Sequence, residues 1–476
     1  MNLQSHDVWT WIVGKYERGF LDPPTSYLAA WRFFSEKYKK GIWDGRIRYI
    51  NRHRSGNYYF PTGLLPRVLR FLEEREIRYY LDDRRKIEPC LNVPIYNIAG
   101  KKLDKYPWDY QGEAVDACLI NGRGILQLPT GAGKTLIGCA VMKTLDVPAI
   151  WFTHRLNLLY QTKEVMEEVL NAPIGIVGDS KIDYEKFTVG MVQSCSSKKH
   201  REFLKTRQVV FGDEIHHLES DLWYSNFAAC LAPYRFGLSA TPELENEGLS
   251  LLGMTGDIIY QRSAKDLVER DVLCQPRIYF ARVADTALSN RLDFKQVYKR
   301  GIVENSERNQ KIVDIAKIFQ LEEHNCLILV NRIQHGKELT SLLKRRSIRA
   351  KFIYGQTSKS VREASFSDLF SGKLDTVVAT APIVGEGVDF PQLRCLINAT
   401  GGKGGGDSSS DESGRLTIQI IGRGMRKHEK KDGFDYVDFL DTSHKYLKNA
   451  ARDRLRTLRA EGWTDFIGYW EERSIT

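Results

Sequence analysis

The segment 128–135, which reads LPTGAGKT, has the residue types of a phosphate-binding loop. Its glycines allow the backbone to wrap around phosphates, and the apolar helix that it opens adds amide donors and a favourable dipole. Lys134 is placed to reach the β- and γ-phosphates of a nucleoside triphosphate, and the Thr135 hydroxyl is placed to hold Mg²⁺. Position 128 departs from the usual pattern, because Leu stands where the first glycine is expected. The apolar run before the loop still favours a phosphate site, with these candidates: Thr130, Gly131, Ala132, Gly133, Lys134 and Thr135.

An acidic pair farther along the chain supplies the carboxylates that a triphosphate site requires. Asp213 and Glu214 follow the apolar run 209–211. We expect Asp213 to coordinate Mg²⁺, directly or through water, and Glu214 to polarise the attacking water. His216 and His217 come next, but no third ligand at metal spacing accompanies them in the sequence, so no zinc site is predicted.

Two segments in the last third of the chain have the residue types of a second ligand-binding group. In QIIGRGMR, at 419–426, Arg423 and Arg426 lie three residues apart, which predicts one shared helix face. Their planar, permanently charged groups suit charge that develops on a γ-phosphate, although a basic face in solvent is the alternative. The run 385–391 follows the apolar stretch 376–380 and permits a tight turn at a strand end, where open α/β sheets bind ligands. Gly387 and Asp389 are its candidate ligand contacts.

Short apolar runs alternate with helical stretches from about residue 122 onward, which predicts buried parallel strands separated by helices. The runs fall into two series, so we predict an α/β fold with two tandem parallel-sheet domains, joined around 275–305. A small α+β domain precedes them, and the predicted domains are 1–88, 89–283 and 284–476. The predicted strands are 124–128, 149–152, 209–211, 236–238, 326–330, 352–354, 376–379, 395–399 and 436–439.

Residues 1–90 are richer in basic and aromatic side chains than the rest of the chain. They hold 17 Lys and Arg against 11 Asp and Glu, and 17 of the 52 aromatic residues. Cations that follow phosphates and rings that stack on bases suit nucleic acid, but a small domain also needs large aromatics for its core. Both interpretations stay open from composition alone. The runs 47–50 and 58–60 predict a hairpin with Arg52 and Arg54 at its tip, and the apolar spacing after Pro66 predicts one amphipathic helix.

The composition of all 476 residues is that of a basic globular protein, with a formal net charge of +10 and a pI near 9.0. A basic excess favours a polyanionic partner. The sequence has no apolar run long enough to span a membrane and no signal-peptide pattern at its start, so we expect a cytoplasmic protein without membrane contact. Eight cysteines without a Cys-x-x-Cys pair fit a reducing compartment.

Six segments, in this order, resemble the motifs of superfamily 2 helicases: 110–111, 128–135, 213–216, 239–241, 385–389 and 419–426. The resemblance covers residues 108–430 and implies two RecA-like motor domains that bind and hydrolyse ATP with Mg²⁺. It implies nucleotide binding and hydrolysis by Lys134, Thr135, Asp213 and Glu214. It also implies these roles: adenine recognition by Gln111, γ-phosphate contact by Gln419, Arg423 and Arg426, and coupling of hydrolysis to unwinding by Ser239 and Thr241.

The Leu-Pro opening of the phosphate loop narrows the resemblance to the XPB and UvsW branch. The segment KGIWDG at 40–45, followed by Arg46, resembles the small N-terminal domain of phage UvsW proteins. This resemblance implies a 3′→5′ motor on forked, branched or R-loop DNA in a bacterial or phage-infected cell, with RNA as a partner within R-loops. We expect it to act as a monomer. The motor motifs hardly distinguish DNA from RNA, so an RNA helicase remains an alternative. A nucleotide-gated clamp that binds nucleic acid without separating strands is a second alternative.

Polar residues at several predicted strand ends match the strand-contacting motifs of the family. They suit a groove that holds phosphates without reading bases, although Ser, Thr and Asn also cap helices widely. The candidates are Arg155, Gln193, Ser194, Asn331, Arg332, Gln356 and Thr357. A helical spacing of basic residues near the C-terminus predicts either a duplex-facing stripe or a solvated face: Lys445, Lys448, Arg452, Arg456 and Arg459. The Gly- and Ser-rich run at 401–414 is predicted to be a loop with no assigned function.

Overall fold

The chain forms two compact units, each built on one large sheet. One unit contains residues 1–128 and 133–262, and the other contains residues 263–476 together with the short segment 129–132. The computed structural model describes residues 1–86, 94–215, 221–242, 248–283, 287–385, 390–401, 418, 420–429, 431–460 and 463–472.

Strands and helices alternate through most of the chain, as the sequence predicts. The strands are β1 (Asn2–Ser5), β2 (Trp9–Val13), β3 (Ser26–Leu28), β4 (Arg46–Arg48), β5 (Asn51–Arg52), β6 (Tyr58–Pro61), β7 (Tyr80–Asp83), β8 (Asn97–Ile98), β9 (Lys101–Lys102), β10 (Arg123–Gln127), β11 (Ala149–Thr153), β12 (Ile174–Gly178), β13 (Lys181–Asp183), β14 (Phe187–Met191), β15 (Val209–Asp213), β16 (Tyr234–Ser239), β17 (Ile258–Gln261), β18 (Pro276–Arg282), β19 (Cys326–Val330), β20 (Ala350–Ile353), β21 (Thr376–Thr380), β22 (Cys395–Asn398), β23 (Phe434–Leu440) and β24 (Ile467–Tyr469). The α-helices are Asp22–Thr25, Glu36–Lys39, Leu65–Glu73, Asp109–Asn121, Lys134–Leu145, Leu156–Leu170, Val192–Cys195, Arg201–Lys205, Asp221–Ala229, Leu249–Thr255, Ala264–Glu269, Phe294–Tyr298, Ser306–Leu321, Ile333–Arg345, Lys359–Phe370, Ala381–Gly385 and Lys445–Ala460. None of these described helices is both long and apolar enough to cross a membrane.

The first 86 residues form a five-stranded sheet in the order β5-β6-β2-β1-β7. The predicted hairpin is present but starts later than expected: β5 pairs with β6 across the turn, whereas β4 pairs with β3. The predicted helix after Pro66 spans Leu65–Glu73 and buries Leu65, Val68 and Leu72, which confirms its amphipathic pattern. This part of the chain therefore has the α+β composition that the sequence indicates.

The first large sheet has the strand order β13-β12-β14-β11-β15-β16-β10-β17. Its pairs are parallel except for β12 with β13. The four strands predicted in this region fall on β10, β11, β15 and β16, whose side chains are buried along nearly their whole length. Burial on both faces explains why these strands read as continuous apolar runs.

The second large sheet is wholly parallel, in the order β20-β21-β19-β22-β23-β18-β24. All five strands predicted here are present, and β19 has the predicted bounds. The region predicted as a connection, 275–305, contains β18, which pairs with β23 over seven residues. The prediction of an α/β fold with two parallel sheets is confirmed.

The N-terminal sheet shares a hydrophobic core with the first large sheet. A Cβ on Gly63 would lie 1.9 Å from the carbonyl oxygen of Leu252, so only glycine permits this approach of the two backbones. Arg123 of β10 spans the junction and donates hydrogen bonds to the carbonyl oxygens of Asp7 and Thr255, each at 3.0 Å. Burial lowers the pKa of Arg123 to about 9, so the side chain stays charged at neutral pH. Residues 1–86 are thus packed firmly onto the sheet that carries the phosphate loop.

The last long helix, Lys445–Ala460, is fixed to the second sheet by a buried ion pair. Arg454 donates to a carboxylate oxygen of Asp438 on β23 at 2.8 Å, and both side chains are almost fully buried. Leu447 and Leu458 lie in the same buried face. The basic residues predicted to form one stripe are all exposed on the other side: Lys445, Lys448, Arg452, Arg456 and Arg459.

Candidate nucleotide site and strand-contact residues

The carboxyl edge of the first large sheet brings three predicted site segments together. The phosphate loop follows β10, Asp213 ends β15, and Ser239 ends β16, which lies between those two strands. The register pairs Gln127 with Ser239 and Asp213 with Leu238, so the three strands end at the same level. Ligands bind at this edge in open parallel sheets.

The phosphate loop has the backbone shape that the sequence predicts. Gly131 and Gly133 have φ values of +89° and +80°, the left-handed region that favours glycine. The helix begins at Lys134, whose Nζ donates to the carbonyl oxygen of Leu128 at 3.0 Å and so lies over the loop. Thr130 Oγ1 is shielded from solvent and makes no hydrogen bond with the described residues, which leaves a hydroxyl available for a bound phosphate.

Gln111, the candidate for adenine recognition, lies directly against the loop. It is fully buried on the helix Asp109–Asn121, and its Nε2 donates to the Tyr110 hydroxyl at 3.1 Å. A Cβ on Gly133 would come within 2.3 Å of the same Nε2 atom. The structure thus places the amide beside the phosphate loop, and its role toward adenine stays a prediction.

The acidic pair forms a tight turn at the end of β15. Asp213 Oδ1 accepts a hydrogen bond from the Glu214 amide at 3.1 Å, and Glu214 has a φ of +51°. A residue other than glycine seldom adopts this conformation, and such strain is concentrated at functional sites. Both residues are partly exposed at the edge that carries the phosphate loop, and Oε2 of Glu214 is shielded from solvent.

The donor set at this edge fits Mg²⁺ held jointly with a nucleotide. Mg²⁺ is usually bound by one or two carboxylates together with substrate phosphates and waters. Asp213 and the hydroxyl of Thr135 are donors of that kind. Among the described residues no group of three His, Cys, Asp or Glu side chains is suited to hold a metal.

Ser239 connects the acidic and phosphate segments through the backbone. Its carbonyl oxygen accepts a hydrogen bond from the Leu128 amide at 3.0 Å, and its hydroxyl accepts from the Thr241 amide at 3.2 Å. The carbonyl oxygen of Leu128 in turn accepts a hydrogen bond from Lys134 Nζ. A continuous path therefore runs from Thr241 to Lys134, as the predicted coupling role of Ser239 and Thr241 requires.

Two predicted strand-contact segments meet at a residue that the sequence analysis missed. His154 follows β11, and its carbonyl oxygen accepts from Gln193 Nε2 at 3.2 Å, while its ring Nε2 accepts from Arg155 Nε at 2.9 Å. Gln193 and Ser194 belong to the short helix after β14, the parallel neighbour of β11. Arg155 begins the next helix without a side-chain capping bond, so its guanidinium has no capping role. The only sequence signal for His154 was its place between a buried strand and Arg155.

The second unit places the other strand-contact candidates at the carboxyl edge of its own sheet. Asn331 and Arg332 follow β19, and Arg332 begins a helix without a side-chain capping bond. Gln356 is exposed in the turn after β20. The Thr357 hydroxyl accepts from the Tyr354 amide at 3.0 Å, so this side chain at least has a structural role in its turn.

The two candidate arginines do not share a helix face, contrary to the prediction. Helical backbone ends at Gly424, and Arg426 forms a β-bridge with Leu273. The cause is tertiary pairing: the carbonyl oxygen of Met425 accepts from the Cys274 amide at 2.8 Å, so pairing with residues 273–274 replaces the helix there. Arg423 remains helical, and its Nη1 donates to the carbonyl oxygen of Val384 at 2.7 Å.

That bond places the Arg423 segment beside the helix Ala381–Gly385, which leads into the predicted ligand-binding turn. Three candidates of this half, Gln419, Gly387 and Asp389, lie outside the described residues, as do His216, His217 and residues 402–414 of the Gly- and Ser-rich run.

Comparison with known proteins decides the family. Residues 105–244 match the family described as type III restriction enzyme, res subunit, and residues 307–428 match the helicase conserved C-terminal domain. The chain is 24% identical over 446 residues to the ATP-dependent DNA helicase uvsW of Enterobacteria phage T4, covering 88% of this chain and 85% of that protein. It belongs to the superfamily 2 helicases. This helicase is also 27% identical over 363 residues to the DNA 3′-5′ translocase XPB2 of Sulfurisphaera tokodaii, covering 68% and 79% of the two chains.

A solved structure supports the fold of this helicase independently of the named relatives. The helicase domain of Hef from Pyrococcus furiosus is 13% identical, covers 73% of this chain and 97% of its own, and superposes with a TM-score of 0.51. The helicase is an XPB/UvsW-like, ATP-hydrolysing enzyme with two RecA-like sheets, as the resemblance in its motifs implies.

Proposed function

We propose that this enzyme is an ATP-dependent DNA helicase or translocase that unwinds or branch-migrates forked, branched or R-loop DNA with 3′→5′ polarity. The observation that carries the proposal is the carboxyl edge of the first sheet. There the phosphate loop, Asp213 and Ser239 lie on three neighbouring strands, and the group around His154 lies on the next two. In this proposal the carboxyl edge of the first sheet carries both the nucleotide-binding residues and residues that contact a nucleic-acid strand. The names of the uvsW and XPB2 relatives favour DNA and 3′→5′ movement.

The phosphate loop is the element that binds the triphosphate in this proposal. Its amides, the Thr130 hydroxyl and Lys134 hold the phosphates, and Thr135 with Asp213 would hold Mg²⁺, which neutralises phosphate charge when bound. Glu214 orients the attacking water and accepts its proton. Arg423 and Arg426 act on the charge that develops at the γ-phosphate, with Gln419 beside them in the same segment.

In this proposal ATP hydrolysis is coupled to strand movement through the backbone hydrogen bond between Leu128 and Ser239. A change in the position of Lys134 on hydrolysis moves Leu128, and this movement reaches Thr241 through Ser239. The strand-contact residues hold phosphodiester groups without reading bases, as a translocase requires. The candidates for this grip are Arg155, Gln193, Ser194, Asn331, Arg332, Gln356 and Thr357, with Arg52 and Arg54 on the exposed hairpin.

The ATPase rate with matched ligands at one fixed salt concentration tests this proposal, because nucleic-acid affinity depends steeply on salt. Single-stranded DNA, duplex DNA, a four-way junction and RNA of equal nucleotide content are compared. Stimulation by the junction well above that by RNA is the expected result. Equal or greater stimulation by RNA would make the enzyme an RNA helicase, and stimulation by no ligand would contradict the nucleic-acid substrate altogether.

A further inference from the structure

The segment that joins β3 to β4, two strands that form a separate two-stranded sheet, exposes large apolar side chains to solvent. It comprises residues 28–44, from the last residue of β3 to the approach to β4, and we call it the aromatic knob. Phe34 is 83% exposed and Ile42 is 72% exposed. Several exposed large apolar side chains within one short segment mark a site of interaction. The exposed apolar members of the knob are Leu28, Trp31, Phe33, Phe34 and Ile42.

The knob is held in shape by its own contacts. The rings of Trp31 and Trp43 lie 5.2 Å apart, and Trp43 Nε1 donates to the carbonyl oxygen of Arg46 at 2.9 Å. Gly45 has a φ of +81°, and a Cβ there would lie 2.7 Å from Arg32 Cδ, so the base of the knob is closely packed. A preformed apolar surface loses little conformational freedom when it binds a partner.

The charges around the knob indicate an anionic partner. Arg32, Lys37, Lys39 and Lys40 lie within it, and the Arg32 guanidinium is 4.2 Å from the centre of the Phe33 ring. Of its two acids, Glu36 lies 3.6 Å from Lys39. The other, Asp44 at its edge, accepts a hydrogen bond from Arg48 Nη1 at 3.0 Å.

Flat apolar rings in a segment with four basic and two acidic side chains match an unpaired nucleic-acid strand, whose bases stack on the rings while its phosphates meet the cations.

The foot of the knob lies next to the predicted strand path. Tyr49, just after β4, lies 6.1 Å from Tyr224 of the helix Asp221–Ala229, measured between ring centres. The neighbouring Trp223 on that helix lies 6.5 Å from His154, which holds Gln193 and Arg155. A single helix therefore contacts both His154 of the strand-contact group and Tyr49, which directly follows the strand β4 that ends the knob.

We propose that the aromatic knob stacks unpaired bases where two DNA strands part, and so holds the fork open as the motor advances. The inference rests on the proposed helicase function and adds to it the element that separates the strands. A knob that instead docked another protein would have no effect on a purified enzyme acting on purified DNA.

The Phe34→Ala variant tests the proposal, with Leu321→Ala as its matched control. Leu321 is 72% exposed at the end of a helix in the second unit, so both changes remove one exposed apolar side chain. The probe is a forked DNA with 2-aminopurine at the first unpaired position, and the readouts are its quenching, the fork affinity and the strands displaced per ATP hydrolysed. Phe34→Ala is expected to weaken fork affinity about tenfold, to abolish the quenching and to lower displacement per ATP. Phe34→Tyr, which keeps the ring, is expected to restore all three.

The outcomes separate the knob from the helicase proposal. If the wild-type enzyme displaces strands and the Phe34→Ala variant has the same quenching, fork affinity and displacement per ATP, the role of the knob is overturned and the helicase proposal stands. A wild-type enzyme that binds no fork would overturn both proposals. Equal losses in Phe34→Ala and Leu321→Ala would also overturn the knob, because a general effect of surface truncation would then explain them. Thermal unfolding of each variant at the wild-type temperature confirms that the fold is retained.

Discussion

Gly133 offers a sharp test of the nucleotide site, because alanine there would both strain the backbone of the phosphate loop and collide with the buried Gln111 amide. Its φ of +80° costs an L-residue about 1 kcal/mol. The added Cβ would stand 2.3 Å from Gln111 Nε2, so either the loop or the buried amide must move. Moving the amide breaks its bond to the Tyr110 hydroxyl, for about 1 kcal/mol more. The free loop avoids both costs by relaxing away from this shape, and ATP binding has to restore it, so the sum of about 2 kcal/mol corresponds to roughly 30-fold weaker ATP binding.

The assay is titration with a fluorescent ATP analogue, together with thermal unfolding, and Gly372→Ala is the control. Gly372 has a φ of +76° with no heavy atom within 4 Å of an added Cβ, and it lies at the amino end of β21, away from the site edge. The control is expected to lose about 1 kcal/mol of unfolding free energy and to bind nucleotide as the wild type does. Wild-type ATP affinity in Gly133→Ala, with stability lowered as in the control, would refute the assignment of the loop.

Three further predictions address other parts of the enzyme. Arg423→Ala is expected to lower ATP turnover by about a thousandfold at nearly unchanged ATP affinity, because an arginine finger acts on developing charge; turnover near wild type would remove that role. Replacing Arg52 and Arg54 together with alanine is expected to reduce the salt slope of DNA binding by about 2, and an unchanged slope would contradict hairpin contact with phosphates. Asp438→Asn is expected to lose about 3 kcal/mol in urea unfolding, since it removes the buried carboxylate charge 2.8 Å from Arg454 and leaves the Asp441 carboxylate at 4.0 Å, and wild-type stability would disprove that account.

The parts of the fold that were predictable from sequence are those with local signals. Strand β19 was predicted with its observed bounds, because both of its faces are buried and its five residues read as one apolar run. The phosphate loop was equally predictable, since this pattern of glycines and a lysine directly before a helix is specific for phosphate binding. The parallel pairing of β1 with β7 joins residues almost 80 positions apart, and no local pattern signals it.

The errors at the candidate site also have physical causes. The three-residue spacing predicted Arg426 on a helix, whereas the pairing of residues 425–426 with residues 273–274 ends the helix at Gly424. His154 was missed because its use of both the ring and the backbone carbonyl depends on the pairing of β11 with β14. Composition marked the N-terminal aromatics as notable, but only the structure separates those in the shared core from those exposed in the aromatic knob.

Displacement of a labelled strand from forked DNA tests the central claim most directly. Wild-type enzyme and the Lys134→Ala variant are compared with and without ATP, after thermal unfolding has shown both to be folded. The account predicts ATP-dependent displacement by the wild type and neither hydrolysis nor displacement by Lys134→Ala, because the phosphate-binding ammonium is lost. Near-wild-type hydrolysis in Lys134→Ala would contradict the site. DNA-stimulated hydrolysis by the wild type without any displacement would instead make the protein a nucleotide-gated clamp.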